Sequence, residues 1–81
     1  MGKTYRALHR GTVTSLNVQD GDYIRGGTVV AKTMWTDERG RSLTGGMSTP
    51  IKAPFDCVVR LFVKVGDQFD ENEPLFHVEP Q

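Results

Sequence analysis

The stretch Val58-Val59-Arg60-Leu61-Phe62-Val63-Lys64-Val65-Gly66-Asp67-Gln68-Phe69 has a counterpart earlier in the chain. Moving back 45 residues gives Val13-Thr14-Ser15-Leu16-Asn17-Val18-Gln19-Asp20-Gly21-Asp22-Tyr23-Ile24, and the two align without a gap. Val13/Val58, Leu16/Leu61, Val18/Val63, Gly21/Gly66 and Asp22/Asp67 are identical, and Ile24 meets Phe69. Self-similarity at a fixed spacing means that one supersecondary unit has been used twice, each copy covering the apolar face of the other. Within each copy, apolar and polar residues alternate with the period of a half-buried strand. Gly-Asp then makes the turn, because Gly accepts positive φ and Asp can bond nearby backbone.

Working outward, each copy continues through a second turn, Gly26-Gly27 in one and Glu71-Asn72-Glu73-Pro74 in the other. Each closes on an apolar strand, Val29-Val30-Ala31 and Leu75-Phe76-His77-Val78. Short strands at close spacing predict an all-β barrel or sandwich. Phe55, Phe62, Phe69 and Phe76 are spaced by seven like a heptad, but Pro54, Gly66 and Pro74 interrupt the stretch and no second apolar position accompanies it, so no helix is expected. An N-terminal arm (1–10) and a long central hairpin (33–50) fall outside the gapless repeat, in what reads as a single domain over 1–81.

Composition agrees with a thin-cored, turn-rich β domain: 37% hydrophobic residues and nine glycines in 81. Ten basic and ten acidic side chains cancel, which argues against an electrostatic nucleic-acid binder. The cancellation hides an asymmetry, +3 over residues 1–41 and −3 over 42–81. A single cysteine, Cys57, offers no intrachain disulfide. With no apolar stretch at Met1-Gly2-Lys3-Thr4-Tyr5-Arg6 and no apolar run near the roughly 18 residues of a membrane span, a cytoplasmic protein away from the membrane is expected.

These residues resemble the biotinyl/lipoyl carrier domain family. Gly11-Thr12-Val13 with Val18-Gln19-Asp20-Gly21-Asp22-Tyr23-Ile24 looks like the family's opening. Ile51-Lys52-Ala53-Pro54-Phe55-Asp56-Cys57-Val58-Val59 is similar to its "I-x-A-P-x-x-G-x-V" strand, and Val63-Lys64-Val65-Gly66-Asp67-Gln68-Phe69 and Glu73-Pro74-Leu75-Phe76 match its closing segments. The resemblance spans 11–32 and 51–78 and implies a flattened barrel-sandwich hybrid of two quasi-twofold halves with an extended central hairpin. Cys57 stands where the family usually has Gly, and the strand after it is about one residue short, which bears on a local bulge.

The family's carriers take biotin or lipoate on one lysine at the tip of the hairpin joining the halves. Counting back from Ile51-Lys52-Ala53-Pro54 puts Thr44-Gly45-Gly46-Met47 on the biotin branch's Ala-Met-Lys-Met, with Gly46 in the lysine slot. Counting forward from Val30 lands near Glu38, and no lysine lies between Lys32 and Lys52. Attachment needs an exposed amine at a turn, whereas Lys32 and Lys52 sit at the hairpin's bases and read as surface lysines. The expectation is therefore a non-catalytic, unmodified module without a bound cofactor. It would serve as an accessory or docking subunit of a carboxylase-like or acyl-transfer complex. Two alternatives are a true biotin or lipoate carrier modified on Lys32 or Lys52, and an adaptor piece like those of membrane fusion proteins.

The contact residues expected lie in the hairpin: Met34, Trp35, Arg39, Arg41 and Met47, residue types enriched at interface cores. Asp37-Glu38-Arg39-Gly40 reads as a tight turn that would carry the strands into a protruding hairpin. Self-association through this hairpin or the strand edges is the other use of such a surface. Chemistry has little foothold. His9, His77 and Cys57 sit on three elements without metal-ligand spacing, Cys57 reads as a buried small hydrophobe, and Gly26-Gly27 and Gly45-Gly46 read as turn glycines rather than phosphate cradles. Asp70-Glu71-Asn72-Glu73 reads as a solvated loop, and His77 as facing solvent or bonding a neighbour.

Overall fold

A computed structural model describes residues 2–81. Eight strands follow in order: β1 (Lys3–Arg6), β2 (Gly11–Leu16), β3 (Tyr23–Ile24), β4 (Val29–Trp35), β5 (Thr49–Lys52), β6 (Cys57–Leu61), β7 (Gln68–Phe69) and β8 (Pro74–Pro80). They form two four-stranded antiparallel sheets, ordered β1-β8-β6-β3 and β5-β4-β2-β7. Replacing each strand by the one four places along in the chain turns one order into the other, which is the quasi-twofold relation. Each sheet takes two strands from each half, so neither half has a sheet of its own. The expected flattened all-β barrel-sandwich is present, with its halves interlocked.

The interlock is made by the Gly-Asp turns. Gly21 N–H donates to Val59 O (2.7 Å) and Val59 N–H donates to Asp22 O (2.9 Å). The other half repeats this: Gly66 N–H to Val13 O (2.8 Å), and Val13 N–H to Asp67 O (2.9 Å). Each Asp side chain closes its own turn, with Asp22 Oδ2 accepting from Gln19 N–H and Asp67 Oδ2 from Lys64 N–H, both at 2.8 Å. The motif is thus one device: a left-handed Gly, an Asp that caps the turn, and two backbone bonds to the opposite half.

The ladders correct the gapless alignment. Val13 pairs with Thr33 and Val59 with Val78, whereas Leu16 pairs with Ala31 and Leu61 with Phe76. A bulge lies between Val13 and Ser15 in β2, while β6 runs without one. The repeat spacing is therefore 46 residues up to Thr14 and 45 beyond it. The counterpart of Val13 is Val59, and both are buried; Val58 is only half-buried. The short strand noted after Cys57 is this missing bulge. Gly11 becomes the counterpart of Cys57, and a Cβ on Gly11 would collide with the carbonyl oxygen of Met34. The close approach that requires glycine exists in the first half, and in the second Cys57 fills its place, fully buried.

Both segments set outside the repeat partly belong to it. β1 is the counterpart of β5: Tyr5 opposes Phe76 as Ile51 opposes Ala31. The match extends to Ala7 and Ala53, both buried. Ala7 bonds Asn72 and Glu73, Ala53 bonds Gly27 and Thr28, and Asn72 takes φ 71° where Gly27 takes 88°. An edge strand buries one face over a few residues, so its sequence is loosely constrained and the likeness of Lys3–Arg6 to Thr49–Lys52 was invisible.

Equivalent core positions of the two halves differ in size: Ala31 stands for Phe76, Ile24 for Phe69 and Val30 for Leu75. Phe76 is its largest fully buried side chain, with Tyr5 stacked on it at 4.7 Å. Burying each such Val, Leu or Phe contributes about 1.5–3 kcal/mol. One position breaks the pattern. Where the second half has Val78, the first has Thr33, 1% exposed, with an Oγ1 that finds no hydrogen-bond partner among the described residues.

Gly21 and Gly66 hold φ of 88° and 92°, and a Cβ on either would meet nothing within 4 Å. Gly21→Ala and Gly66→Ala should each destabilise by about 1–2 kcal/mol, through backbone strain alone. Equilibrium urea unfolding checks this; unchanged midpoints would mean that the turns relax out of the left-handed region.

Candidate functional site

The β4–β5 ladder ends at Thr33 opposite Thr49. Beyond it β4 runs on to Trp35 but pairs with β2, Gly11 opposing Trp35, and Thr36 N–H donates to Arg10 O (3.0 Å). Past an interruption at residues 44–48 the central hairpin continues to its tip, with Leu43 N–H donating to Trp35 O (2.8 Å), Thr36 bridging to Ser42, and Asp37 N–H donating to Arg41 O (2.8 Å).

The predicted tight turn sits at its end and is built around Asp37. Its Oδ1 accepts from the backbone N–H of Arg39 and of Arg41, each at 2.9 Å, and its Oδ2 from Arg41 Nε at 3.1 Å. The backbone N–H of Arg41, helped by that of Arg39 and by the Arg41 guanidinium, holds the Asp37 carboxyl below its ordinary value against the opposing effect of desolvation. A second turn follows, in which Ser42 Oγ accepts from Gly46 N–H (2.8 Å) and Thr44 N–H (3.2 Å). Gly45 and Gly46 take φ of 66° and 87°, as turn glycines do. Thr14 Oγ1 and Ser48 Oγ, 2.7 Å apart, tie the end of this loop to β2.

The expected contact residues divide into two groups. Arg39, Arg41 and Met47 are exposed on the two turns, Met47 at 71%. Met34 and Trp35 are half-buried in β4, and the Trp35 ring stacks on His9 at 6.0 Å. Leu43, half exposed between the turns, joins the outward group; its place in a polar loop was the signal that could have singled it out. Lys32 and Lys52 are exposed but lie in ladders, Lys32 opposite Pro50 and Lys52 opposite Val29.

Elsewhere, His77 bonds two neighbours: Thr4 Oγ1 at Nδ1 (2.8 Å) and Glu79 Oε1 at Nε2 (2.7 Å). Burial, helped by the adjacent Asp56 charge, pushes the Cys57 thiol up, away from nucleophilic chemistry. No group of three His, Cys, Asp or Glu that could hold a metal occurs among the described residues.

One concavity escaped the sequence reading altogether. The edge strands β1 and β5 are joined by no ladder, and between them opens a groove of about 280 Å³. Tyr5, Leu8, Trp35, Ile51, Phe69 and Leu75 give it apolar walls, Thr33 reaches it from β4, and Arg6 and Lys52 lie at its edge. Leu8, 80% exposed, had no marked role in the sequence.

No protein-family model matches the chain. No curated protein matches it either. Among solved structures, the fold is similar to part of a single-chain, multi-domain long-chain acyl-CoA carboxylase, with a TM-score of 0.77 and 17% identity. The match covers 99% of this chain and 7% of that one. At this identity the likeness concerns the fold alone, an all-β architecture of two four-stranded antiparallel sheets.

Because the Asp37 carboxyl is held below its ordinary 3.8, its bonds are complete above that value and are lost as pH falls through the lowered one. Following the Arg39 and Arg41 amide resonances from about pH 6 to about pH 2 should show them moving together, below the usual aspartate midpoint. Asp37→Ala should leave both amides at their low-pH positions throughout.

Proposed function

We propose that this domain is an unmodified relative of the swinging carriers, serving as an accessory or docking module of a larger carboxylase-type or acyl-transfer assembly. The observation that carries this reading is the absence of lysine from residues 34–48, the whole span beyond the last rung of the β4–β5 ladder. A covalent carrier needs a primary amine that a ligase can reach at a turn. The two positions that counting puts in the lysine slot, Gly46 and Glu38, have none, and Lys32 and Lys52 extend from strands.

In place of the amine the span presents a folded surface. Arg39, Arg41, Leu43 and Met47 are held outward by turns whose bonds lie within the loop, so little ordering entropy remains to be lost on binding. Arg and Met are among the residues enriched where partners meet. The similarity to part of an acyl-CoA carboxylase supports such a setting. The mixture of Arg39 and Arg41 with Asp37 and Glu38 suits a partner surface carrying both signs of charge.

Intact-mass measurement of the protein purified from its native host should give the unmodified mass, and an adduct mapped to Lys32 or Lys52 would overturn the reading. Arg39→Ala, Arg41→Ala and Met47→Ala combined should weaken the complex co-purified from that host by at least about tenfold, with unfolding unchanged. A complex retained at wild-type level would remove this loop from the interface.

A further inference from the structure

We propose that the groove between β1 and β5 binds a small apolar carboxylate, a medium-chain acyl anion, independently of the role assigned to the loop. Three observations converge on this ligand. The groove walls are apolar, and at about 280 Å³ the space lies just under that of drug-sized ligand sites. Its volume suits a chain on the order of eight to ten carbons, each methylene gaining from leaving water.

The second observation is Thr33. Its hydroxyl is buried and unpartnered, at a position where the equivalent strand of the other half carries Val78. An unpartnered buried hydroxyl costs free energy that the isosteric Val would avoid. Thr33 is among the residues lining this groove, but its hydroxyl has almost no accessible surface, so a ligand oxygen reaches this unpartnered donor only as the groove wall shifts to admit it.

The third is charge. Arg6 and Lys52 are the ionisable groups lining the groove apart from Tyr5, and no Asp or Glu lines it. Neither has a carboxylate within salt-bridge distance among the described residues; Arg6 donates only to the Asn72 backbone oxygen, at 3.1 Å. Both side chains are exposed, and the lining contains no acidic group, so the edge of the groove carries two positive charges. An apolar chain with an anionic head meets all three features. A neutral chain would leave the charges unused, and a polar anion would leave the walls unused.

Trp35, the only tryptophan, lies in the groove wall and reports binding directly. Titration with hexanoate, octanoate and decanoate should give saturable fluorescence changes, tightening about fourfold per added carbon until the groove is full. Amide shifts should concentrate at Leu8, Thr33, Trp35, Ile51 and Lys52. Decanol should bind at least about tenfold more weakly than decanoate, and Arg6→Gln and Lys52→Gln should each cost decanoate about five- to tenfold, while Arg60→Gln in β6 costs nothing. Thr33→Val should weaken decanoate about threefold and yet raise the unfolding midpoint, a pair of effects that general damage to the fold cannot produce. The proposal is overturned if decanoate gives no saturable response by about 10 mM, if decanol binds as well as decanoate, or if the shifts spread over both sheets. Binding in the groove of an acidic apolar peptide but not of decanoate would also overturn it, assigning the surface to a protein partner.

Discussion

Everything in this fold hangs on an exchange of backbone hydrogen bonds between each Gly-Asp turn and the first core strand of the opposite half. Gly21 and Asp22 bracket Val59, and Gly66 and Asp67 bracket Val13. Without that exchange each half is a set of short strands with one bare face, too small to bury a core alone. With it, the two sheets are each assembled from both halves, and Val13, Val59, Phe76 and Val78 are closed off from water together. The exchange also makes the domain indivisible, because each half holds one ladder of its own, β2–β4 or β6–β8, but neither holds a whole sheet.

The same construction creates the two asymmetric features of the molecule on which the proposals rest. Two edges, β1 and β5, are left facing each other without a ladder, because each already pairs with a strand from the other half. The groove is what remains between them, and the departure from symmetry in its lining, Thr33 where the repeat has Val78, puts a polar atom into an otherwise apolar seam. The connection between the halves is the other asymmetric element. It contains no lysine beyond the β4–β5 ladder, and Asp37 and Ser42 organise it into two turns. The two turns leave Arg39, Arg41, Leu43 and Met47 exposed to solvent.

Much of this was legible in the residues. The Gly-Asp turns, the alternation around Leu16 and Leu61, and the closing strands around Val30 and Leu75 are local signals, since turn chemistry and strand period are written in neighbouring residues. They were enough for an all-β barrel of two similar halves, and the absence of lysine between Lys32 and Lys52 is a matter of counting. The tight turn at Asp37–Gly40 was legible for the same reason.

Three things were decided only by tertiary structure. The bulge at Thr14 depends on which residue of β4 each residue of β2 opposes, so the gapless alignment misplaced Val13. Membership of β1 in the repeat rests on its pairing with β8, a contact across most of the chain's length that leaves almost no trace in four edge residues. The groove requires Tyr5, Thr33, Ile51 and Phe69 to meet at one seam, and no local pattern announces a meeting of residues so far apart in sequence. The chain's own text determined the two halves and their turns; the way the halves thread through each other determined where an unjoined seam, an unpartnered hydroxyl and two basic side chains come together.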